Sequence, residues 1–293
     1  MQRQTGLCHF KLYFTKQKKQ KGIEFFIYVC YNQIYTMDKR KISIFFKKIL
    51  SELFVDKYNC IVCDDELQEK SSVGLCQKCH DKLTYINDNM CKKCGRLQYN
   101  EADYCLTCQA HKRHFDFARS CVVYDDVAME IVRGIKFGGK RYFGKYIADF
   151  LVERYQSQFD GVDVDIAIPV SLTKAKKKIR GFNQSLEIAK TFCERSALAL
   201  RCDLLTKIRD TKEQAKLSGE ERESNLKDAY RVEKEDEVKD KNILIVDDVM
   251  TTGSTASEIA HTLKKAGAAS VYLLTFASTR YKVERVVAED ATS

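Results

Sequence analysis

The stretch Ile243–Ala260, ILIVDDVMTTGSTASEIA, carries the signal that decides the fold of the second half of the chain. Ile243 to Val246 form a continuous apolar run, short and β-branched, as expected of a strand buried on both faces. Two acids, Asp247 and Asp248, stand where that strand is expected to end. The turn Met250–Thr255 then leads into a predicted helix over Ser254–Ala266, with Gly267 as its stop. In open α/β sheets ligands gather at the carboxyl ends of strands. A helix N-terminus at that end offers free N–H groups and the positive end of its dipole to a phosphate. The chain has no Walker lysine and no GxGxxG, so a P-loop or dinucleotide fold is not indicated. A phosphate would be held by amides around Gly253 and by the hydroxyls of Thr251, Thr252, Ser254 and Thr255. Carboxylates repel phosphate but accept hydrogen bonds from sugar hydroxyls, so the unit reads as a site for ribose with a 5′-phosphate. The plainer alternative makes the acids strand-end residues and Ser254 a helix cap. The complete strand, acid pair, hydroxyl turn and helix favour the ligand.

Working outward, strands are expected over 120–124, 165–170 and 271–276, and helices over 127–137, 142–155 and 183–196. Strands alternating with helices indicate a parallel sheet covered by helices on both faces. Five cations, Lys174, Lys176, Lys177, Lys178 and Arg180, lie within seven residues. They would neutralise a pyrophosphate, contact a nucleic-acid backbone, or form a solvated loop. Residues 209–228 are long, polar and charged, in keeping with a flap over a substrate. His111, His114 and His261 read as ordinary polar residues rather than catalytic bases, and no catalytic residue is assigned.

Upstream lies a second pattern. Of the 13 cysteines, eight form Cys60-x-x-Cys63, Cys76-x-x-Cys79, Cys91-x-x-Cys94 and Cys105-x-x-Cys108, separated by 12, 11 and 10 residues. Each CxxC turn puts two thiolates on one side of a knuckle, and two knuckles close a tetrahedral sulfur cage suited to structural Zn²⁺. Eight ligands imply two zinc ions. The simplest pairing is 60/63/76/79 and 91/94/105/108, with an interleaved pairing left open. Disulfides would need an oxidising compartment, the CxxCH at Cys76–His80 accounts for a single pair, and an iron–sulfur cluster is the remaining competitor. Residues 60–108 hold six Lys/Arg against eight Asp/Glu, so this ribbon is not a self-evident phosphate binder and reads as structural or partner-docking.

The formal charge of +9 is unevenly spread, because residues 1–36 hold six Lys/Arg and one Glu. Basic composition alone therefore argues little for nucleic acid. No apolar stretch is long enough to span a bilayer, and no signal peptide is read in the leading segment. Residues 1–36 are expected to be a dispensable extension from an upstream start, with order beginning at Met37. Ile42, Phe45, Phe46, Ile49, Leu50, Leu53 and Phe54 form one apolar helical face, expected to pack on the following domain rather than on a membrane. The expected organisation is 1–36 extension, 37–116 helix and double zinc ribbon, and 117–293 α/β domain, in a cytoplasmic protein.

The segment ILIVDDVMTTGST resembles the 5-phosphoribosyl-1-pyrophosphate (PRPP) motif of type I phosphoribosyltransferases. With IAIPVSLTKAKKKIRGFNQS (166–185), RDTKEQAKLSGEERESNLKDAY (209–230), IKFGGK (135–140) and the CxxC array, the chain resembles the ComF family of competence-associated proteins over about residues 40–280. The resemblance implies a zinc ribbon fused to a type I phosphoribosyltransferase-like domain. It assigns Asp247 and Asp248 to the ribose hydroxyls and Thr251, Thr252, Gly253, Ser254 and Thr255 to the 5′-phosphate. Lys136, Arg180, Arg209 and Arg222 become candidates for the pyrophosphate or its covering loop, and Mg²⁺ is expected with PRPP. It further implies a role in DNA uptake, with single-stranded DNA and a competence helicase or membrane uptake machinery as partners and a peripheral place at the membrane. Active phosphoribosyl transfer in nucleobase salvage or nucleotide metabolism is the alternative. No pocket for an acceptor base is recognisable in the sequence.

Overall fold

The computed structural model describes residues 58–67, 71–209 and 226–280. The extension, the amphipathic face at 42–54, and residues 210–225 of the flap, Arg222 among them, lie outside the described residues. All described residues belong to one compact unit.

The ribbon is built twice on one plan. Cys60 and Cys63 lie on a tight hairpin closed by the Asn59–Glu66 bridge, and Cys91 and Cys94 on another closed by Met90–Leu97. The residue after each second cysteine is left-handed, Asp64 at φ 63° and Gly95 at φ 66°. Each hairpin faces a short helix whose N-cap is the third ligand: Cys76 before α1 (Gln77–His80) and Cys105 before α2 (Leu106–Ala110). Gly95 is doubly constrained, because a Cβ there would also stand 2.3 Å from the Ala118 carbonyl oxygen.

Ala118 belongs to β1 (Phe117–Val123), where the α/β layer begins. There follow α3 (Asp126–Lys136), α4 (Phe143–Gln158), β2 (Ile166–Pro169), α5 (Lys174–Arg180), α6 (Gln184–Ser196), β3 (Ala199–Leu200), β4 (Leu205–Lys207), β5 (Tyr230–Val232), β6 (Asn242–Met250), α7 (Ser254–Lys265) and β7 (Ser270–Ser278). Five strands form one sheet in the order β1-β7-β6-β2-β3, each neighbouring pair parallel, while β4 and β5 form a separate antiparallel pair.

Alternation along β6 divides the core. Leu244 and Val246 face the layer made by α3, α4 and α6, with Ile131, Ile147, Leu151, Ile188 and Phe192. Ile243 and Ile245 face α7, with Ile259, Ala260 and Leu263. Each such buried side chain contributes about 1.5–3 kcal/mol relative to exposure.

The edges of the sheet are managed differently. β3 is only two residues long, whereas the free edge of β1 is covered by the ribbon. Ala118 N donates to the Lys93 carbonyl at 2.8 Å, Ile86 N to Cys121 at 3.0 Å and Val123 N to Thr84 at 2.8 Å. Tyr85 pairs with Val122 as an isolated bridge. Leu75, Cys79 and Leu83 of the ribbon enter the same core as Val122 and Ile147.

Two sequence expectations change in detail. The central strand does not end before the acids but runs through them to Met250, because β7 continues alongside and pairs as far as Met250–Ser278. Residues 174–180, for which a solvated loop is one of the alternatives, form a helix capped by the Thr173 hydroxyl, which accepts from Lys176 N.

Candidate functional site: an acid pair over a hydroxyl turn, with two cysteine tetrads

The cleft arises from a difference in strand length. β2 ends at Pro169, opposite Val246, while β6 continues for four more residues paired only with β7. The edge of β6 that β2 vacates carries the acids. They close a cleft of roughly 260 Å³ whose other walls are the start of α7, the cationic face of α5 and Lys136.

Successive strand residues point to opposite faces, so the two acids meet different partners. Asp248 follows Leu244 and Val246 toward α3, where Lys136 Nζ lies 2.9 Å from its Oδ2. The Asp248 side chain is only 3 % exposed and that of Lys136 is 23 %, so this is a substantially buried pair. Burial pulls Lys136 downward, but Asp248 and then Asp247 outweigh it and hold the ammonium above its ordinary range. Asp247 accepts at Oδ1 from the Ser185 hydroxyl at 2.6 Å and from Asp248 N at 2.9 Å. Ser185 is delivered by the first turn of α6, whose cap Asn183 is anchored to the Val170 carbonyl at 3.0 Å. Burial first, and the neighbouring Asp248 charge second, push the Asp247 carboxyl up to about 7 despite the Ser185 hydrogen bond.

The hydroxyl turn divides its labour. Thr251, Gly253 and Thr255 line the cleft. The Thr252 hydroxyl instead donates to Ser254 Oγ at 3.0 Å and accepts from Ser254 N at 3.3 Å, closing the turn from behind. Gly253 takes the left-handed conformation, φ 81°, that lets β6 turn directly into α7. Within the basic cluster, helical spacing sends Lys176 and Arg180, four residues apart, to the cleft and leaves Lys177 and Lys178 exposed. Arg180 donates to Gln184 Oε1 and lies 5.4 Å from the Phe137 ring centre.

The structure therefore brings together Lys136, Arg180, Asp247, Asp248, Thr251, Gly253 and Thr255, with Thr252 and Ser254 supporting the turn. Arg209 is not among the cleft residues; its guanidinium donates to the Lys227 carbonyl. Ser185, Ser171, Lys207 and Tyr230 had no assigned role from sequence, although Ser185 lies inside RGFNQS. Lys207 and Tyr230 come from β4 and β5, and the ammonium sits 5.4 Å from the ring centre.

The cysteines form two tetrads, Cys60/63/76/79 and Cys91/94/105/108, within each of which the sulfurs lie within 4.8 Å of one another. The sequential pairing is thus the one adopted. Cys63 and Cys76 Sγ are 3.6 Å apart, as are Cys94 and Cys105 Sγ. A tetrahedral ion with Zn–S of about 2.3 Å needs sulfurs about 3.8 Å apart, so both tetrads fit zinc closely. Cys91 Sγ also accepts from the backbone of Cys94 at 3.5 Å and of Cys105 at 3.3 Å, the pattern that stabilises a ligating thiolate. Contacts with Cys105, ahead of those with Cys108, drive Cys91 far below the thiol range and Cys94 far above it. Four thiols so placed cannot all ionise without a dication among them. Groups of three or more metal-ligating side chains occur nowhere else among the described residues. All four positions of each cage are cysteine, which makes these sites structural rather than catalytic. No helix among the described residues is long and apolar enough to cross a membrane.

Comparison with known proteins agrees with both halves. A family model described as a double zinc ribbon domain matches residues 50–109, and one described as a phosphoribosyl transferase domain matches residues 188–292. The chain is 30 % identical over 219 residues to the DNA utilization protein YhgH of Escherichia coli O157:H7, covering 68 % of this chain and 94 % of that one. YhgH of Salmonella typhimurium is 28 % identical over 215 residues, with the same two coverages of 68 % and 94 %. Competence protein ComFC of Bacillus subtilis is 26 % identical over 236 residues, covering 74 % of this chain and 92 % of the relative. The architecture is accordingly a phosphoribosyltransferase-like parallel sheet with flanking helices, preceded by a cysteine-rich zinc ribbon.

Proposed function

We propose a function from one premise: this chain belongs to the ComF family. The cleft holds a phosphoribosyl ligand, PRPP or a relative of it, and the protein serves the handling of incoming DNA in natural transformation. The observation that carries the first part is the acid pair at the end of β6 directly above the hydroxyl turn of α7. One ligand satisfies both, its ribose hydroxyls donating to Asp247 and Asp248 and its 5′-phosphate accepting from the turn. Lys176 and Arg180, with Lys136 beside the acids, supply the positive charge that a pyrophosphate on C1 requires. The acids already engage Lys136 and Ser185, so Mg²⁺ is best carried in on the pyrophosphate, where it would neutralise oxygen charge.

The second part takes support from the names of the relatives, a competence protein and a DNA utilization protein. It also takes support from exposed side chains that flank Lys136 and Arg180 along the chain. Phe137, Tyr142 and Ile179 are 78 %, 51 % and 88 % exposed beside Lys140, Arg141, Lys177 and Lys178. Exposed rings among cations suit single-stranded nucleic acid, which stacks bases on aromatics and lays phosphates on Lys and Arg.

Titration calorimetry with PRPP and Mg²⁺ tests the ligand, with D247A expected to weaken binding at least tenfold. Unchanged affinity in D247A would overturn the assignment. A pyrophosphate-release assay with a panel of nucleobases separates holding from transfer: turnover lost in D247A would make the protein a phosphoribosyltransferase.

A further inference from the structure

A second cavity, of about 380 Å³, lies behind the hydroxyl turn and is independent of the cleft assignment. Its wall is made by Lys112, Arg113 and His114, which follow the last zinc ligand, by Lys227, and by Glu258 and His261 on the outer side of α7. Arg113 is decisive. The residue is 8 % exposed, lines the cavity, and makes no hydrogen bond or ion pair among the described residues. A largely buried arginine with no counter-charge among the described residues favours an anion in the cavity that it lines.

Nor do the neighbours supply one. Three permanent cations, Lys112, Arg113 and Lys227, face a single carboxylate, and Glu258 already accepts at Oε1 from Asp228 N at 2.8 Å. The nearby Asp116 is taken by Lys264 at 2.8 Å and by Val271 N at 2.7 Å. The His114 and His261 rings stand 4.5 Å apart, centre to centre. Burial first, then His261, Lys112, Lys264 and Lys93, hold His114 below the ordinary histidine range. Two of its hydroxyls, Ser254 and Ser257, come from the first turns of α7, and Ser257 Oγ already accepts from His114 N at 3.2 Å.

We propose that this cavity is a second anion site, which takes the phosphate group of a small phosphate monoester against Arg113, Lys112, Lys227 and the His114–His261 pair. Arginine's planar fork matches phosphate oxygens two at a time. The paired imidazoles add N–H donors at the same wall. The volume exceeds a bare phosphate and leaves room for a small organic carrier.

The test uses the full chain with its zinc, labelled with ¹⁵N in the imidazole rings, and inorganic phosphate as the probe. The chain has five histidines, and His80, with its ring nitrogen 2.8 Å from the Tyr85 hydroxyl, serves as the internal reference. Phosphate should move the His114 and His261 signals saturably and leave His80 in place. R113M should weaken that response roughly tenfold or more, the scale of a lost charged hydrogen bond. R113K, which keeps the charge without the fork, should fall between the two and guards against a folding defect. T255A, at a residue that lines the cleft and not this cavity, should respond like the wild type. Silent histidines, an equal response in R113M, or a response lost in T255A would each overturn the proposal. So would a response to a single-stranded oligonucleotide with none to inorganic phosphate.

Discussion

Asp247→Asn isolates the electrostatics of the cleft without any ligand. The wild-type carboxyl is pushed up to about 7, against 3.8 for an ordinary aspartate. The folded protein therefore binds this proton more tightly than the unfolded chain does. By linkage, the resulting stability is fully present below the unfolded value and is lost as pH rises through the folded one. Integrating between about pH 5.5 and about pH 8 gives a loss of about 2 kcal/mol from this one group. Asparagine cannot ionise but can still accept the Ser185 hydrogen bond, so the variant should lack that portion of the slope. Urea denaturation at several pH values, with zinc saturating, measures it. Wild type minus variant should fall steadily across the window and flatten above it. A difference that stays constant with pH would refute the electrostatic account of Asp247. The same sign reaches the ligand, because sugar hydroxyls donate to the carboxylate form. Phosphoribosyl binding should tighten as pH rises toward neutrality in the wild type, and that rise should be absent in D247N.

Lys136→Met should destabilise the protein by about 3 kcal/mol, since it leaves the buried Asp248 carboxylate without its partner. The companion D248N should recover most of that loss, and a double-mutant cycle showing strict additivity would contradict the pair. Removal of zinc should deprotect the amides of Ala118 and Val123, which donate to ribbon carbonyls. Native-state hydrogen exchange after chelation reads this directly, and β1 amides that stay protected would show that the sheet does not depend on the metal. Metal analysis should find two zinc ions in the wild type and about one in C91S, whose altered sulfur sits at 0 % exposure in the second tetrad.

How far the sequence could carry the fold follows from how local each feature is. The β6–turn–α7 unit was legible because strand, acids, hydroxyls and helix are contiguous, and the CxxC pairs because each knuckle is four residues long. The pairing of the knuckles was not legible, since spacings of 12, 11 and 10 residues permit either arrangement. It is decided by each hairpin folding onto the next short helix. Lys136 and Asp248 are more than a hundred residues apart, and only the resemblance of IKFGGK brought the lysine into view. Ser185 stood inside a motif, but its partner depends on where the first turn of α6 meets the end of β6. The helix at 174–180 is too short and too uniformly basic to show a period; its one readable hint was the i, i+4 spacing of Lys176 and Arg180. Strands of two or three residues, β3, β4 and β5, carry too few side chains to alternate visibly.

Charge is handled in opposite ways on the two sides of α7. In front, Asp248 is balanced by Lys136, and Asp247 relieves its own burial by holding a proton near neutrality. The two acids can therefore stand without a ligand and without an uncompensated negative charge, and a ligand's hydroxyls then compete with that proton. Behind, Arg113 has no such escape, because a guanidinium does not deprotonate in proteins. Among the described residues it has no counter-charge, and a bound anion would supply one. The residues that present it, Lys112–His114, lie only a few positions beyond Cys108 of the second cage. Phosphate binding behind α7 should consequently require zinc in the Cys91/94/105/108 cage, whereas the Lys136–Asp248 pair in front does not touch the ribbon. In C91S, the histidine response to phosphate should be lost while the pH-dependent stability traced to Asp247 persists. Retention of the full histidine response in C91S would show that the cavity is shaped by α7 alone.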